Sequence, residues 1–481
     1  MPSHPTTSSV DLLVPDTGGG PRARVEDAVR AAIAEGRLPP GARLPSTRAL
    51  ARDLGVARST VVDAYAQLAA EGWIVGAQGS GTRVAPSAHH LPPDGAPAVE
   101  PDAPRYDLRP GRPDAGSFPR AAWVGALRRA LRDEPDPTFD YGDHRGHPGL
   151  RREIAAYAGR VRGVRAHADQ IVVCAGFGQA LALGAQALRA AGATALAMED
   201  PCLAHHHTIA AASGLGIVSL PVDGGGAQVE QLAELEVGGA LLTPAHQQPL
   251  GTSLSGSRRG WVLEWARRTG ATVLEDDYDS EFRFDRAPLG AIQGRAPDAV
   301  VHMGTVSKTL APAVRLGWMA VPPRLVEAVV AEKAAAGGQH GILDQLAFAE
   351  LLRSGAYDRH VRRMRLRYRA RRDHLLRRLA ADVPQVTWSG IAAGLQTLVH
   401  LPTGGTTAAE VVAAAATRGL ALAAMDGRNW RFTGPPPETL VIGFGTPAEH
   451  AFHATVDALV ASLTAGGATK SGFRRRRAVV D

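Results

Sequence analysis

A proline- and alanine-rich segment, APSAHHLPPDGAPAVEPDAPR at 85–105, divides this 481-residue chain into two parts of very different length. The segment has no apolar periodicity, which is typical of an extended linker between domains. Each part must therefore bury its own core, and a hydrophobic content of 45% is sufficient for that. We predict a small domain over 11–84, a linker over 85–105, a large domain over 106–465 and a basic tail over 466–481.

The small N-terminal part shows the periodicity of three helices followed by two short strands. Val25, Val29 and Ile33 give the first helix one apolar face, and Ser46 can cap the second helix. Arginines remain on the outside of the second and third helices, which is typical of a helix-turn-helix that enters a DNA major groove. The alternative is a helical domain with a solvated arginine face, because residues 11–84 contain nine arginines against eight acidic residues.

Lysine is rare in this chain, since only three of its 53 basic residues are lysines. Unlike arginine, lysine can act as a neutral amine when it is desolvated. The segment GTVSKTLAPAVRLG (304–317) places Lys308 close to the hydroxyls of Thr305 and Ser307 and the guanidinium of Arg315. An ordinary surface lysine is the alternative. The combination fits a ligand with both a phosphate and an aldehyde, as in pyridoxal phosphate (PLP).

An acidic cluster follows a strand-like run in TVLEDDYDSEFRF (272–284). It comprises Glu275, Asp276 and Asp277, with the phenol of Tyr278 next to them. Such a cluster alone is more typical of a metal site or a solvated turn. Near a PLP-binding lysine it has another use, because the ring nitrogen of PLP needs a carboxylate that holds its proton.

Three further segments, together with these residues, resemble the fold type I aminotransferases. They are a strand–glycine turn–helix, IVVCAGFGQALALGAQAL (171–188), a dimer-contact segment, YGDHRGHPGLRREIAAY (141–157), and a cofactor loop, TPAHQQPLG (243–251). The resemblance implies an α/β fold with a mixed, mostly parallel sheet and a smaller C-terminal α/β subdomain.

The same resemblance implies a role for individual residues. Lys308 would form the Schiff base with PLP, Asp276 would pair with the ring nitrogen, and Tyr278 would bond to the ring hydroxyl. The other cofactor contacts are expected from Gly178, Gln179, Gln248, Thr305, Ser307 and Arg315.

The N-terminal segments GRLPPGARLPSTRALARDLGVARSTV (36–61) and GSGT (79–82) resemble the GntR-type winged helix. The resemblance implies DNA contacts from Arg48, Arg58, Ser59, Thr60, Gln78 and Gly79. Ala57 stands where a serine that caps the recognition helix is common, and the loss of such a cap costs about 1 kcal/mol. The helix should survive this loss.

A GntR-type reader joined to an aminotransferase-like domain is the layout of the MocR/GabR regulators. This resemblance implies a DNA-binding transcriptional regulator that senses a small ligand and forms a head-to-tail, domain-swapped homodimer. Two readers would favour an operator with paired half-sites. The alternative is a working aminotransferase that also carries a DNA-binding module.

The sequence departs from the aminotransferase pattern at three positions. Val441 stands where the arginine that clamps the substrate carboxylate is expected, Leu203 replaces a ring-stacking tyrosine, and Gln396 replaces a frequent histidine. We therefore expect a sensor in which PLP itself is the effector, as in the vitamin B6-responsive branch of these regulators. An amino-acid sensor remains the alternative, because Arg428 or Arg431 could clamp a carboxylate instead.

The remaining features bear on location and on secondary sites. Two cysteines, no signal-peptide pattern and no long apolar run favour the cytoplasm. The histidines at 205–207 are predicted to be exposed on a helix rather than to bind a metal. The ten arginines of 359–378 are predicted to form a solvated helix face, with DNA contact as the alternative. The FRRRR tail would add nonspecific DNA affinity.

Overall fold

The computed structural model describes residues 20–77, 81–86, 104–285 and 289–467. The chain divides into two compact units, residues 1–103 and 104–481. Residues 87–103, most of the predicted linker, lie outside the described part of the chain. The predicted domain bounds therefore stay a prediction.

The first unit contains the predicted three helices and two strands. They are α1 (Pro21–Ala34), α2 (Thr47–Asp53), α3 (Arg58–Ala70), β1 (Ile74–Ala77) and β2 (Gly81–Val84). The apolar face of α1 packs against α3 in a single core that also includes Leu50 and Val61. The hydroxyl of Ser46 accepts from the Ala49 N–H at 3.2 Å, which confirms the predicted cap of α2. Ala57 precedes α3 without a side-chain cap, as predicted.

The second unit contains ten α-helices among its described residues. They are α4 (Arg120–Asp133), α5 (Pro148–Arg162), α6 (Phe177–Ala190), α7 (Ala204–Ala212), α8 (Gly256–Thr269), α9 (Pro323–Ala335), α10 (Ile342–Arg353), α11 (Ala356–Asp382), α12 (Ala408–Ala416) and α13 (Phe452–Gly467). The strands are β3 (Tyr106–Asp107), β4 (Ile171–Cys174), β5 (Ala195–Asp200), β6 (Cys202–Leu203), β7 (Gly216–Asp223), β8 (Gly226–Ala227), β9 (Gly239–Leu242), β10 (Thr272–Asp277), β11 (Val300–Thr305), β12 (Gly317–Ala320), β13 (Thr387–Ser389), β14 (Gln396–His400), β15 (Leu420–Ala421), β16 (Ala423–Ala424), β17 (Trp430–Arg431) and β18 (Thr439–Gly443).

Eight strands form the central sheet in the order β4-β12-β11-β10-β9-β5-β7-β8. Strands β11, β10, β9, β5 and β7 run parallel, whereas β12 is antiparallel to both of its neighbours. The short β8 returns from β7 as an antiparallel edge strand. This confirms the predicted mixed, mostly parallel sheet.

Helices cover both faces of this sheet, which is why its inner strands are apolar and fully buried. Residues of α6 and α9 share one buried cluster with β10, β11 and β12. Residues of α8 form a second cluster with β9 and β10. In sheets of this kind the ligand site lies at the carboxyl ends of the strands. A ligand site is therefore expected at the carboxyl ends of β10 and β11.

The predicted smaller subdomain is also present. An antiparallel sheet in the order β13-β14-β18-β16 shares a core with α12, α13 and the later turns of α11. Helix α13 ends at Gly467, two residues into the predicted tail, and the tail's predicted start at 466 stays a prediction. The remainder of the tail, 468–481, lies outside the described residues.

The arginine-rich helix α11 is only partly a solvated face. Arg359, Arg362 and Arg363 are exposed, as predicted. Arg371, in contrast, is buried and donates to Asp114 Oδ2 at 3.1 Å and Glu449 Oε2 at 2.7 Å. The prediction is wrong for this arginine, because a charge pattern does not show which turn of a helix meets a buried carboxylate.

Two absences hold for the described residues. None of their helices combines the length and the hydropathy needed to cross a bilayer. Both cysteines are free thiols, Cys174 buried and Cys202 half-buried.

Candidate functional site

The three acidic side chains of β10 point to two opposite faces of the sheet. Glu275 accepts backbone N–H groups from Ile292 and Gln293 at 2.8 and 3.0 Å. Asp277 points to the same face, because successive side chains of a strand point to opposite faces. Asp276 lies on the other face. Only one of the three carboxyl groups is therefore directed toward the candidate site.

Asp277 belongs to a buried ion network rather than to a ligand site. It accepts from Arg162 Nε at 2.7 Å and lies 2.8 Å from Nε2 of His302. Burial alone would raise the pKa of Asp277, but Arg162 and His302 hold it well below its usual range. The described residues contain no group of three or more potential ligands that could hold a metal ion.

Asp276 is buried and has an unpaired oxygen. Its Oδ1 has no hydrogen-bond partner among the described residues. Burial, and then the charges of Asp277 and Asp279, raise the pKa of Asp276 well above its usual value. A cationic donor would satisfy this carboxyl group and restore its charge. The protonated ring nitrogen of PLP is a donor of that kind.

Lys308 lies in the turn after β11 and is half-buried. Its Nζ donates to the Gly111 carbonyl oxygen at 2.6 Å. Burial lowers the pKa of Lys308, although the nearby Asp279 and Asp276 oppose that shift. A lower pKa favours the neutral amine, which is the form that attacks an aldehyde.

Tyr278 follows Asp276 by two residues and shares a contact with His246. Its hydroxyl lies 3.1 Å from Nδ1 of His246, and Asp279 Oδ2 lies 2.9 Å from the same nitrogen. A ring nitrogen makes one strong hydrogen bond, so the carboxylate and the phenol compete for it. A ring hydroxyl of a ligand would therefore compete with His246 and Asp279 for the Tyr278 hydroxyl.

An anion cradle forms where α6 begins. Gly176 precedes the helix with φ 89°, a conformation that favours glycine. The first backbone N–H groups of α6, including those of Gly178 and Gln179, have no partner within the helix and suit a phosphate. The side-chain oxygen of Gln179 accepts from the Ala175 N–H at 2.7 Å, which holds the turn in place.

Side chains from the turn after β11 complete this cradle. The hydroxyls of Thr305 and Ser307 lie 2.9 Å apart. Arg315 is exposed, and its guanidinium lies beside Gly176, 3.8 Å from the position that a Cβ would take there. Among the described residues, Arg315 is the only non-glycine with a left-handed backbone, at φ 51°. Such strain costs roughly 1–3 kcal/mol and occurs mainly at functional sites.

The loop at 243–251 is fixed by a residue that the sequence did not single out. Gln247 donates to the Pro201 carbonyl oxygen at 2.8 Å and accepts from the Leu250 N–H at 3.0 Å. Its neighbour Gln248, the predicted contact, is buried. Gln396 lies beside this loop, 3.5 Å from the Pro249 carbonyl oxygen.

The prediction of exposed histidines in α7 is wrong for two of the three. His205 is exposed, but His206 and His207 are half-buried. The ring of His206 packs against Phe177 at the start of α6, with centroids 4.7 Å apart. Burial, assisted by the charges of His205 and Lys308, lowers the pKa of His206 to about 3. A neutral aromatic ring therefore packs at the start of α6.

Two departures from the aminotransferase pattern lie in the same apolar cluster. Val441 is fully buried beside Trp430, and Leu203 packs against the same group. The other members are Leu398, Met425, Leu250 and Phe432. An arginine at 441 would be buried in this cluster without a carboxylate. Arg428 and Arg431 are exposed on the neighbouring segment.

In the first unit, most of the predicted DNA contacts lie on the surface. Arg48, Arg58 and Ser59 are exposed and Thr60 is half-buried. Gln78 and Gly79 lie outside the described residues. The exposed residues are on α2 and at the start of α3, the two helices of a helix-turn-helix.

Together, the sheet and the cradle define a PLP-type aminotransferase fold, and the first unit defines a winged helix-turn-helix. Residues 112–431 match the family model for aminotransferase class I and II, and residues 21–84 match that for the gntR family of bacterial regulatory proteins.

The full chain resembles known regulators. It is 34% identical to the HTH-type pyridoxine biosynthesis transcriptional regulator PdxR of Corynebacterium glutamicum, over 89% of this chain and 92% of that protein. It is also 34% identical to the probable rhizopine catabolism regulatory protein MocR of Rhizobium meliloti, over 74% and 77%. The α-aminoadipate aminotransferase LysN of Thermus thermophilus shares the fold with a TM-score of 0.66 and 23% identity, over 75% of this chain and 92% of that one.

The chain belongs to the MocR/PdxR-type helix-turn-helix transcriptional regulators, which join a GntR-family DNA-binding domain to an aminotransferase class I and II domain. Its role is transcription regulation through that DNA-binding domain.

Proposed function

We propose that this regulator binds PLP in the second unit and that PLP itself is the effector that changes its affinity for DNA. The observation that carries the proposal is the apolar cluster around Val441. It occupies the place where an amino-acid substrate would need a carboxylate clamp, whereas the cradle and Asp276 fit the cofactor. The relationship to a pyridoxine biosynthesis regulator supports the same effector.

Different residues would bind different parts of the cofactor. PLP supplies an aldehyde and an electron-withdrawing ring. Lys308 would provide the amine, Asp276 would keep a proton on the ring nitrogen, and Tyr278 would donate to the ring hydroxyl. The backbone N–H groups of Gly178 and Gln179 at the start of α6 would hold the phosphate. Thr305, Ser307 and Arg315 would add phosphate contacts, and Gln248 would add a further contact with the cofactor.

The effector hypothesis predicts a response to PLP and none to common amino acids. Operator affinity of the full chain, measured by fluorescence anisotropy, should change at least about fivefold on PLP addition, which corresponds to a coupling free energy of about 1 kcal/mol. The twenty amino acids should cause neither a spectral shift nor turnover. An amino acid that changes both the spectrum and DNA binding, in a manner lost in Arg428→Ala or Arg431→Ala, would restore the amino-acid sensor.

The principal alternative is a working transaminase, and one observation favours testing it. Arg431 is exposed on β17, which pairs with β6 next to Leu203. A clamp from this arginine would allow some amino-group transfer. We propose that the domain is not an enzyme in its own right. Single-turnover mixing with amino acids, followed at the visible band, should show no conversion of the bound cofactor.

DNA recognition rests on Arg48 and Arg58 in our proposal. Alanine at either position should weaken operator binding by roughly 1–3 kcal/mol if the arginine contacts a base edge. The visible spectrum of the cofactor should be unchanged. Arg37→Ala is the matched control, because Arg37 is an exposed arginine of the same unit that lies outside α2 and α3 and pairs with Glu35. Equal affinity of Arg58→Ala and the control would contradict the assignment.

We further propose a head-to-tail homodimer that recognises paired half-sites in the cytoplasm, where its DNA target lies. Ser59 and Thr60, with Gln78 and Gly79 of the predicted wing, would add contacts around the arginines. Light scattering should give the mass of two chains. Removal of one half-site from the operator should weaken binding by more than the loss of its nonspecific phosphate contacts alone would do.

A further inference from the structure

A second cavity lies between α5, α11 and the segment that follows β10. Its volume is about 330 Å³, which suits a small ligand. None of the proposed cofactor-binding residues lines it. It is therefore distinct from the site around Lys308.

A carboxyl group with an unpaired oxygen lies in the wall of this cavity. Glu281 is only 8% exposed, and its Oε1 accepts from the Tyr157 hydroxyl at 3.2 Å. Its Oε2 has no hydrogen-bond partner among the described residues. Burial, and then the charge of Asp277, raise the pKa of Glu281 to about 7. A cationic donor would satisfy the oxygen and stabilise the charged form.

Guanidinium groups line the same cavity. Arg160 pairs with Asp358 at 2.7 Å, and Arg362 Nε makes a 3.4 Å contact with the Asp358 carbonyl oxygen. Arg365 donates through Nε to the Glu281 carbonyl oxygen at 2.6 Å. In the described part of the chain, Arg362 and Arg365 each use one nitrogen in these bonds. Their terminal N–H groups can therefore bind an anion.

The wall also has an apolar part. Val161 and Val361 line the cavity together with these charged groups, and Val361 is 5% exposed. A ligand complementary to the carboxyl, guanidinium and apolar groups of this cavity needs an ammonium, a carboxylate and a small apolar group.

We propose that this cavity binds an α-amino acid with a small apolar side chain, with the ammonium on Glu281 and the carboxylate on Arg362 and Arg365. The cavity adjoins the cofactor site, because Glu281 lies three residues after Tyr278 and Arg162, which also lines the cavity, binds Asp277 next to Asp276.

The test separates this cavity from the cofactor site. Full-length protein that carries its cofactor is first reduced with borohydride, so that the amine of a ligand cannot react there. L-valine, isobutylamine and isobutyrate are then titrated by calorimetry. We expect L-valine to bind at least about tenfold more tightly than either partial ligand, because each partial ligand lacks one of the two charge-assisted contacts. Protein without cofactor is titrated as purified, so failure of the PLP assignment leaves this test intact.

Three variants locate the bound amino acid. Glu281→Gln preserves size and the contact with Tyr157, and it should weaken L-valine binding at least about tenfold without affecting isobutyrate. Arg362→Ala should weaken the binding of both L-valine and isobutyrate. Arg363→Ala is the matched control, because Arg363 is exposed on the same helix and does not line the cavity. It should bind L-valine as the wild type does.

Three outcomes would overturn the proposal. The first is the absence of L-valine binding in the wild type. The second is equal binding of L-valine and isobutyrate, which would indicate an anion site without an ammonium contact. The third is L-valine binding that neither Glu281→Gln nor Arg362→Ala weakens.

Discussion

Replacement of Lys308 by alanine is expected to abolish covalent retention of PLP. The variant should lack the visible band of the lysine-bound cofactor, and borohydride should add no mass to the chain. The reason is chemical, because a Schiff base needs an amine, and burial lowers the pKa of this one toward the reactive form. Absorption spectra and intact-protein mass spectrometry measure both effects.

The other lysines serve as comparison. Lys470 lies outside the described residues, and Lys470→Ala should retain the band. Lys333 is buried, and its Nζ donates to the carbonyl oxygens of His144 and Val173, so it is held in a structural role. Covalent cofactor in Lys308→Ala would assign the Schiff base to one of these two residues and refute our site.

Replacement of Arg162 by alanine should destabilise the second unit by about 3–5 kcal/mol, because it leaves Asp277 buried without its principal counter-charge. Both side chains of this pair are only 3% exposed. The midpoint of urea unfolding, followed by tryptophan fluorescence, measures the loss.

Arg160→Ala is the matched control on the same helix. Arg160 is 58% exposed and pairs with Asp358, and an exposed pair of this kind contributes about 0–1 kcal/mol. If both variants lose the same stability, the buried network around Asp277 is not what fixes β10, and our account of how Asp276 is positioned is wrong.

The sequence was informative where chemistry requires a particular residue at a particular spacing. The rarity of lysine singled out Lys308, the strand that ends in acidic residues indicated a carboxylate near it, and the resemblance to the fold type I aminotransferases implied Asp276. The roles of both residues stay predictions. The cap at Ser46 and the apolar face of α1 predicted the helices of the first unit. These signals are local, so they do not depend on how distant segments pack.

Other parts of the site could not be predicted, because they depend on contacts between distant segments. Nothing near His302 in sequence shows that it meets Asp277, and the Gly111 carbonyl oxygen is almost 200 positions from the lysine that it binds. The run of three histidines gave no sign that only His206 would pack on Phe177. The strand alternation that separates Asp276 from its neighbours could have been anticipated, because it follows from the side-chain period alone.

The buried position of Val441 has a consequence for how such a protein could gain or lose catalysis. Replacement of Val441 alone by arginine would not recreate a substrate clamp, because the new charge would lie among the apolar side chains of Trp430, Met425 and Leu398. Several of these side chains would have to change together. A route back to turnover would therefore cross intermediates that fold poorly, and this barrier would preserve the sensory role that we propose for the domain.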